Sequence, residues 1–332
     1  MFLTDRWREW QHPEAGHDRG RRPYFEGWYV KVVSADKALR LAVIPGLFRS
    51  DSGGEEAFVQ VLDGATGRSW YASYPSSEYW AAPDRFTVQV GPNRFTPAGV
   101  ELDVELPDLH LRGQLDFTSE LTPWPVTRRS PGAMGWYSYM PFMECYHGVV
   151  SFGHDVAGML VLDGQEHRLT GARGYLEQDW GQAFPAGYVW MHSNTFTTPG
   201  VSLMASVALI PWLRGQFRGL LIGVMTPVGL QVFATYNGTK TEELTVDDEH
   251  VHLAVRRRDG WRLDLRAERV GGALLHAPIR SQMHRRVEET LDARIEVRLT
   301  DGSGRVVLAD TGEVAGLEVH GEIDDLIATK DR

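Results

Sequence analysis

The chain has 332 residues, enough for two domains at roughly 150 residues each, and its 42% hydrophobic and 23% charged residues exclude whole-chain disorder. A net charge of −10 with no long basic stretch argues against nucleic acid as a partner and against more than peripheral contact with an anionic membrane. The single cysteine, Cys145, excludes an intrachain disulfide and any multi-cysteine zinc or iron–sulfur centre, which fits a reducing, cytoplasmic setting.

The first residues mix acidic and basic side chains and lack the apolar core of a secretory signal. A helical turn is expected near Asp5–Trp10. The first unusual segment follows, Arg22-Pro23-Tyr24-Phe25-Glu26-Gly27-Trp28-Tyr29-Val30-Lys31. If extended, Tyr24, Glu26, Trp28 and Val30 share one face, and Phe25, Gly27, Tyr29 and Lys31 share the other. Lys31 prefers water, so Glu26 is expected to point inward beside rings. Burial there would raise its pKa and suit it to proton donation. The bland alternative is a Glu satisfied by an Arg or a backbone donor at a barrel mouth.

Alternating apolar and polar residues then dominate, as in Ala57–Leu62, Gly99–Leu106 and Ala293–Leu299. Asp63-Gly64, Asp163-Gly164, Asn237-Gly238, Asp259-Gly260 and Asp301-Gly302 punctuate them as hairpin turns. The most apolar stretch, Gly219–Ala234, is broken by Pro227 and Gly229 and reads as strand, turn and strand rather than a membrane span. A short helix is expected near Ile323–Lys330. The chain is therefore expected to be all-β, with antiparallel barrels removing exposed sheet edges. Tyr24–Tyr29 is echoed by Ala186–Trp190, which suggests two barrel-like halves, residues 1–184 and 185–332.

The 13 Phe, 11 Trp and 11 Tyr gather in short clusters, a first functional hint. One runs from Ser130 through Trp136-Tyr137 to Glu144-Cys145-Tyr146-His147, a Pro/Gly loop becoming a strand. Glu144 and Tyr146 share a face, Cys145 and His147 the other. His147 near a Tyr and a Glu is suited to proton relay. A Cys145–His147 nucleophile lacks an evident orienting third group, and Cys145 reads better as a small core residue. Another is Gly174-Tyr175-Leu176-Glu177-Gln178-Asp179-Trp180-Gly181. Tyr175, Glu177 and Asp179 would share a face, where mutual repulsion of two carboxyls could hold one proton, or both could be solvated. Trp190, His192 and Asn194 alternate onto one face that could extend a pocket wall.

The strings PYFEGWYVK, SPGAMGWYSYMPFMECYHGVVS and GYLEQDWGQAFP, with Ala315–Gly321 later, resemble the signature blocks of the tocopherol cyclase family in their order. Tyr24, Glu26, Trp28, Glu144, Tyr146, His147, Glu177, Asp179 and Trp180 match those blocks. The resemblance implies two lipocalin-like antiparallel β-barrel domains and chemistry on a prenylated quinol. An alkene would be protonated and a phenolic oxygen would close a ring, with no redox cofactor and no metal. Asp179, Glu26, Glu177 and His147 are the expected catalytic groups. Tyr24, Trp28, Tyr29, Glu144, Tyr146, Tyr175, Trp180, Trp190 and Asn194 are the expected substrate contacts. Rings would stabilise a cation and a barrel interior would exclude water from it. The alternatives are a non-catalytic carrier of an apolar ligand, or a hydratase, isomerase or hydrolase on the same scaffold. His250 and His252 share a strand face without a third ligand nearby, so a zinc site there is not expected.

Overall fold

The structure, a computed structural model, describes residues 11–128, 130–213 and 215–332. The helical turn expected near Asp5–Trp10 lies outside the described residues. Two compact units form. One comprises the chain up to Phe184 together with Leu274–Arg286, and the other comprises Pro185–Ala273 and Val287–Arg332.

The first sheet is built from β1 (Tyr24–Val33), β2 (Arg40–Arg49), β3 (Glu55–Asp63), β4 (Arg68–Tyr74), β5 (Tyr79–Ala81), β6 (Val88–Val90), β7 (Asn93–Thr96), β8 (Gly99–Leu106), β9 (Leu109–Phe117), β10 (Cys145–Leu162), β11 (Gln165–Arg168) and β12 (Ala172–Gly181). The second comprises β13 (Gly187–Ser193), β14 (Ser202–Trp212), β15 (Gly215–Thr226), β16 (Gly229–Ala234), β17 (Lys240–Val246), β18 (His250–Arg256), β19 (Arg262–Glu268), β20 (Ala273–Ile279), β21 (Gln282–Thr300) and β22 (Val306–Gly321). A terminal helix, α1 (Ile323–Ala328), follows. The alternating runs fall inside strands, and the Asp-Gly pairs sit at the ends of β3, β10, β18 and β21.

The two sheets share one strand order. In the first, β4-β3-β2-β1 continues through β12 to β10, β9, β8, β7, β6 and β5. In the second, β16-β15-β14-β13 continues through β22 to β21, β19, β18 and β17. Each is an up-and-down antiparallel arrangement in which the first strand pairs with the last, the lipocalin-like plan. The ends of the first sheet, β4 and β5, are joined by the turn Ser76–Glu78, and β6 packs across onto β2 and β3. The Tyr24–Tyr29 and Ala186–Trp190 echo thus opens the topologically equivalent strands β1 and β13.

Both interiors are packed with apolar side chains, mostly aliphatic, with Trp28, Trp70, Phe86 and Phe95 among them in the first and Phe233 in the second. Val30, Val32, Leu41, Val43, Val59, Leu109, Leu111 and Leu176 belong to the first core, and Val189, Leu203, Ile222, Leu253, Leu265 and Leu317 to the second. Burying each Leu or Val contributes about 1.5–3 kcal/mol, which sets the inward face of every strand. This corrects the expectation of a water-excluding hollow inside the barrel. The strands carry enough Val and Leu on their inner faces to fill it.

β1 is buried along both faces, with only Gly27 half-exposed. Lys31, expected in water, is 1% exposed. Glu26 does face the core side, but the solvation of Lys31 is not the reason. The reason is the alternation that puts Trp28, Val30 and Val32 in the hydrophobic cluster.

Candidate active site on the outer face of the first sheet

β1, β12 and β10 run side by side, with β12 in the middle. Register then decides which side chains meet. Asp179 is opposite His147 of β10 on one side and Gly27 of β1 on the other. Glu177 is opposite Val149 and Tyr29. Since Leu176 and Trp28 face the core, Tyr175, Glu177, Asp179, His147 and Tyr29 emerge on the outer face. The expected sharing of a face by Tyr175, Glu177 and Asp179 is what the strand delivers.

These groups form a linear chain. The Tyr175 hydroxyl donates to Glu177 Oε2 at 2.5 Å. His147 Nε2 lies 3.3 Å from the same oxygen, within ion-pair reach but off the line of a hydrogen bond. His147 Nδ1 meets Asp179 Oδ1 at 2.8 Å. Side-chain exposure rises along the chain, from 5% at Glu177 and 11% at His147 to 26% at Asp179. Asp179 is therefore the end that a ligand or water reaches. The rings of Tyr29 and Tyr175 meet edge to face at 6.4 Å at the other, buried end, beside Glu177.

Burial alone would pull the His147 imidazole down. The adjacent carboxylates, Asp179 first and then Glu177, outweigh it and hold the pKa up at about 9. At neutral pH the proton of this cluster therefore sits on the imidazole. That corrects the expected carboxyl pair sharing a proton by repulsion, because His147 lies between the two acids. Burial, and next the Asp179 charge, pushes the Cys145 thiol well above its usual range, so it is no thiolate nucleophile. Burial, and next Glu177, likewise keeps the Tyr175 phenol protonated.

His147, Glu177 and Asp179 each offer one ligand atom, all within 4.8 Å of one another. A divalent cation there would have to displace the imidazole proton, so the set suits proton chemistry better than metal binding at neutral pH.

The remaining expected residues lie elsewhere. Glu26 is fully buried on the opposite face, where Oε1 accepts from the Tyr79 hydroxyl at 2.6 Å and Oε2 from the His17 backbone N–H at 2.8 Å. Burial raises its pKa to about 7, against the lowering pull of those two hydrogen bonds. Tyr24 faces the same side, and Trp28 donates its indole N–H to Glu14 O at 3.2 Å. Trp180 lies between His17, at 4.2 Å between ring centres, and Tyr146, at 5.5 Å. The Tyr146 hydroxyl donates to Met140 O. Glu144 accepts from Arg280 at 3.0 Å in a partly exposed ion pair. The signature residues thus occupy two opposite faces of one sheet.

In the second unit, Trp190 and Asn194 are buried, with the Trp190 ring stacked 6.3 Å from His192. His252 lies between Glu243 and Asp264 in a partly exposed surface ladder.

Sequence reasoning missed Tyr79, His17 and Lys31. Tyr79 is 53 residues from Glu26, and no local pattern links them. Lys31 stood inside the first signature string and was misjudged because lysine favours water.

The fold and this buried acid–imidazole–acid set define a class: two-unit, lipocalin-like antiparallel β proteins with titratable groups on a covered sheet face. The chain matches the tocopherol cyclase-like family over residues 107–321 and belongs to it. A rice protein (Oryza sativa subsp. japonica) named "Probable tocopherol cyclase, chloroplastic" is 23% identical over 207 residues, covering 59% of this chain. The match spans 44% of the rice protein's length. Similar solved structures include an AttH-type protein from Nitrosomonas europaea, with 15% identity, 89% and 93% of the two chains covered and a TM-score of 0.51. Kievitone hydratase from Nectria haematococca has 10% identity, 90% and 89% coverage and a TM-score of 0.52. CghA with Sch210972 has 11% identity, the same coverage and a TM-score of 0.52. At these identities the structures attest to the fold. Among the described residues no helix is long and apolar enough to cross a membrane.

Proposed function

We propose that the protein is an acid–base cyclase acting on a prenylated quinol or a related apolar aromatic lipid. The observation that carries this is His147 held between Asp179 and Glu177, with Asp179 at the accessible end. Such a set can hold one proton, deliver it through Asp179 and take one back, as addition of O–H across a C=C requires. The proton adds to the less substituted alkene carbon, the substrate hydroxyl oxygen bonds to the resulting cationic carbon, and the hydroxyl proton returns to the set. Nothing is oxidised or reduced, and the product has the mass of the substrate. The Asp179 carboxylate, at the accessible end, would stabilise the cation by its charge.

Family membership supports this reading, as does the rice relative's name. The partial exposure of Asp179 favours a second outcome on the same site, water replacing the internal hydroxyl to give a hydrated product. A carrier that stores its ligand within either barrel is disfavoured, since those interiors are filled.

The test is to incubate protein with a prenylated hydroquinone and follow it by mass spectrometry and chromatography. A new isobaric product supports cyclisation, and gain of one water supports hydration. Asp179→Asn and His147→Gln should abolish turnover while binding persists. Full turnover in both variants would overturn the assignment.

A further inference from the structure

The opposite face of β1 and β12 carries a different device. Residues Pro13–His17 run across the end of the first barrel where β1 begins and β12 ends. Side chains of the sheet hold this segment by its backbone. Trp28 Nε1 donates to Glu14 O at 3.2 Å, Gln178 Nε2 donates to Ala15 O at 2.9 Å, and Glu26 Oε2 accepts from His17 N at 2.8 Å. Gly16 N donates to Ala82 O at 2.8 Å. A Cβ on Gly16 would stand 2.6 Å from Ala81 Cβ, so only glycine lets the segment lie this close.

The attachment is polar rather than apolar. Ala15 is buried, yet it stands outside the aliphatic cluster that fills the barrel. His17 is 3% exposed, and its Nε2 has no hydrogen-bond partner among the described residues. Its ring lies on Trp180, 4.2 Å between centres, and its other polar contact is with the backbone of Pro13, inside the segment itself. Docking the segment therefore strands one buried nitrogen and takes up an oxygen of a buried carboxyl. Native cores rarely leave such a nitrogen unpaired. Burial also holds the His17 pKa down at about 3, so the ring is neutral and adds no charge pairing to Glu26.

We propose that Pro13–His17 is a displaceable strap, and that an apolar ligand bearing a hydroxyl takes its place. The ligand hydroxyl donates to Glu26 where the His17 N–H does now, and its apolar body lies on Trp180 in place of the His17 ring. Glu26, Trp28, Gln178 and Trp180 then serve as strap anchors in the closed state and as a ligand seat in the open one. This concerns the opposite face of the sheet from His147 and Asp179, and it stands independently of the reaction proposed there.

Hydrogen–deuterium exchange on the wild-type full chain tests the strap directly. The His17 amide should exchange at least ~10-fold faster than the Leu176 and Gln178 amides, as expected for local opening. Exchange of His17 only at the rate of those strand amides would make the segment a permanent part of the core and overturn the proposal. Gly16→Val should expel the strap. The variant protein should then bind 1-anilinonaphthalene-8-sulfonate, and a plain aliphatic alcohol such as decanol should displace it, while β1 and β12 keep their protection. No gain of binding would overturn the proposal, and so would loss of protection across both strands. Trp28→Phe, which removes one donor without adding bulk, should speed His17 exchange selectively, and an unchanged rate would count against the anchoring role.

Discussion

His147 and Asp179 are direct partners across the β10–β12 pair, and their 2.8 Å contact is a product of that register. A slip of one residue would turn one of the two to the core. The site's chemistry is therefore tied to sheet geometry rather than to a flexible loop.

The first consequence is a histidine that titrates late. Its folded pKa of about 9 stands above the ordinary 6.5 because the two carboxylates, Asp179 foremost, outweigh burial. For a base raised by folding, the stabilisation is complete below about pH 6.5 and is lost as pH rises through about 9. At 1.36 kcal/mol per pH unit the contribution is at most about 3 kcal/mol. NMR of the His147 ring should show the late titration, and Asp179→Asn should bring it down toward the ordinary range. A midpoint still near 9 in that variant would show that Asp179 is not its source.

Glu26 gives the same direction of change at lower pH. Its pKa is raised from 4.5 to about 7, first by burial. The folded state then holds a proton that the unfolded state has released, so stability declines as pH rises from about 4.5 through about 7. Glu26→Gln should flatten urea-unfolding stability across that interval and leave the decline between 6.5 and 9, which belongs to His147. An unchanged slope between 4.5 and 7 would show that Glu26 is not responsible.

Alternation made much of this legible. It placed Glu177 with Asp179 and set His147 apart from Glu144, because a strand's period of two fixes which residues share a face. It also marked Gly99–Leu106, which is β8 itself. It was silent on which faces are covered. Lys31 was therefore misplaced, since a strand buried on both sides reads like one with a wet face. Partners that meet through topology, such as Glu26 with Tyr79 and His17, leave no local mark. The filled interiors were also hidden, since the same Val and Leu residues can line a cavity or close it.

Metal binding should follow the imidazole proton. The three ligand atoms of His147, Glu177 and Asp179 lie within 4.8 Å of one another, but the His147 proton must leave before a cation enters. Zinc titrated calorimetrically should bind weakly at pH 7 and more tightly toward pH 9, with about one proton released, and a chelator should leave turnover unchanged. Tight zinc binding at pH 7, with activity lost to the chelator and restored by metal, would replace the proton mechanism with a metal-assisted one.

Two glycines beside the site should behave differently. Gly181 closes β12 at φ +156°, and a Cβ there would stand 2.1 Å from Glu144 O, on the backbone that leads into β10. Backbone cannot yield as a side-chain end can, so Gly181→Ala must part β10 from β12 at the Cys145–Gly181 pair, two residues from where His147 meets Asp179. A cost of about 2–3 kcal/mol is expected. In the fraction that stays folded, the His147 titration should fall toward its ordinary range as the ion pair lengthens. Gly27 flanks Asp179 on the other side, and its added Cβ meets nothing nearer than 3.6 Å. Gly27→Ala should stay within about 0.5 kcal/mol of wild type and keep the late titration. Thermal melts with NMR of both variants check this pair. If Gly181→Ala keeps His147 near 9, the pairing of β10 with β12 is not what holds the charge in place.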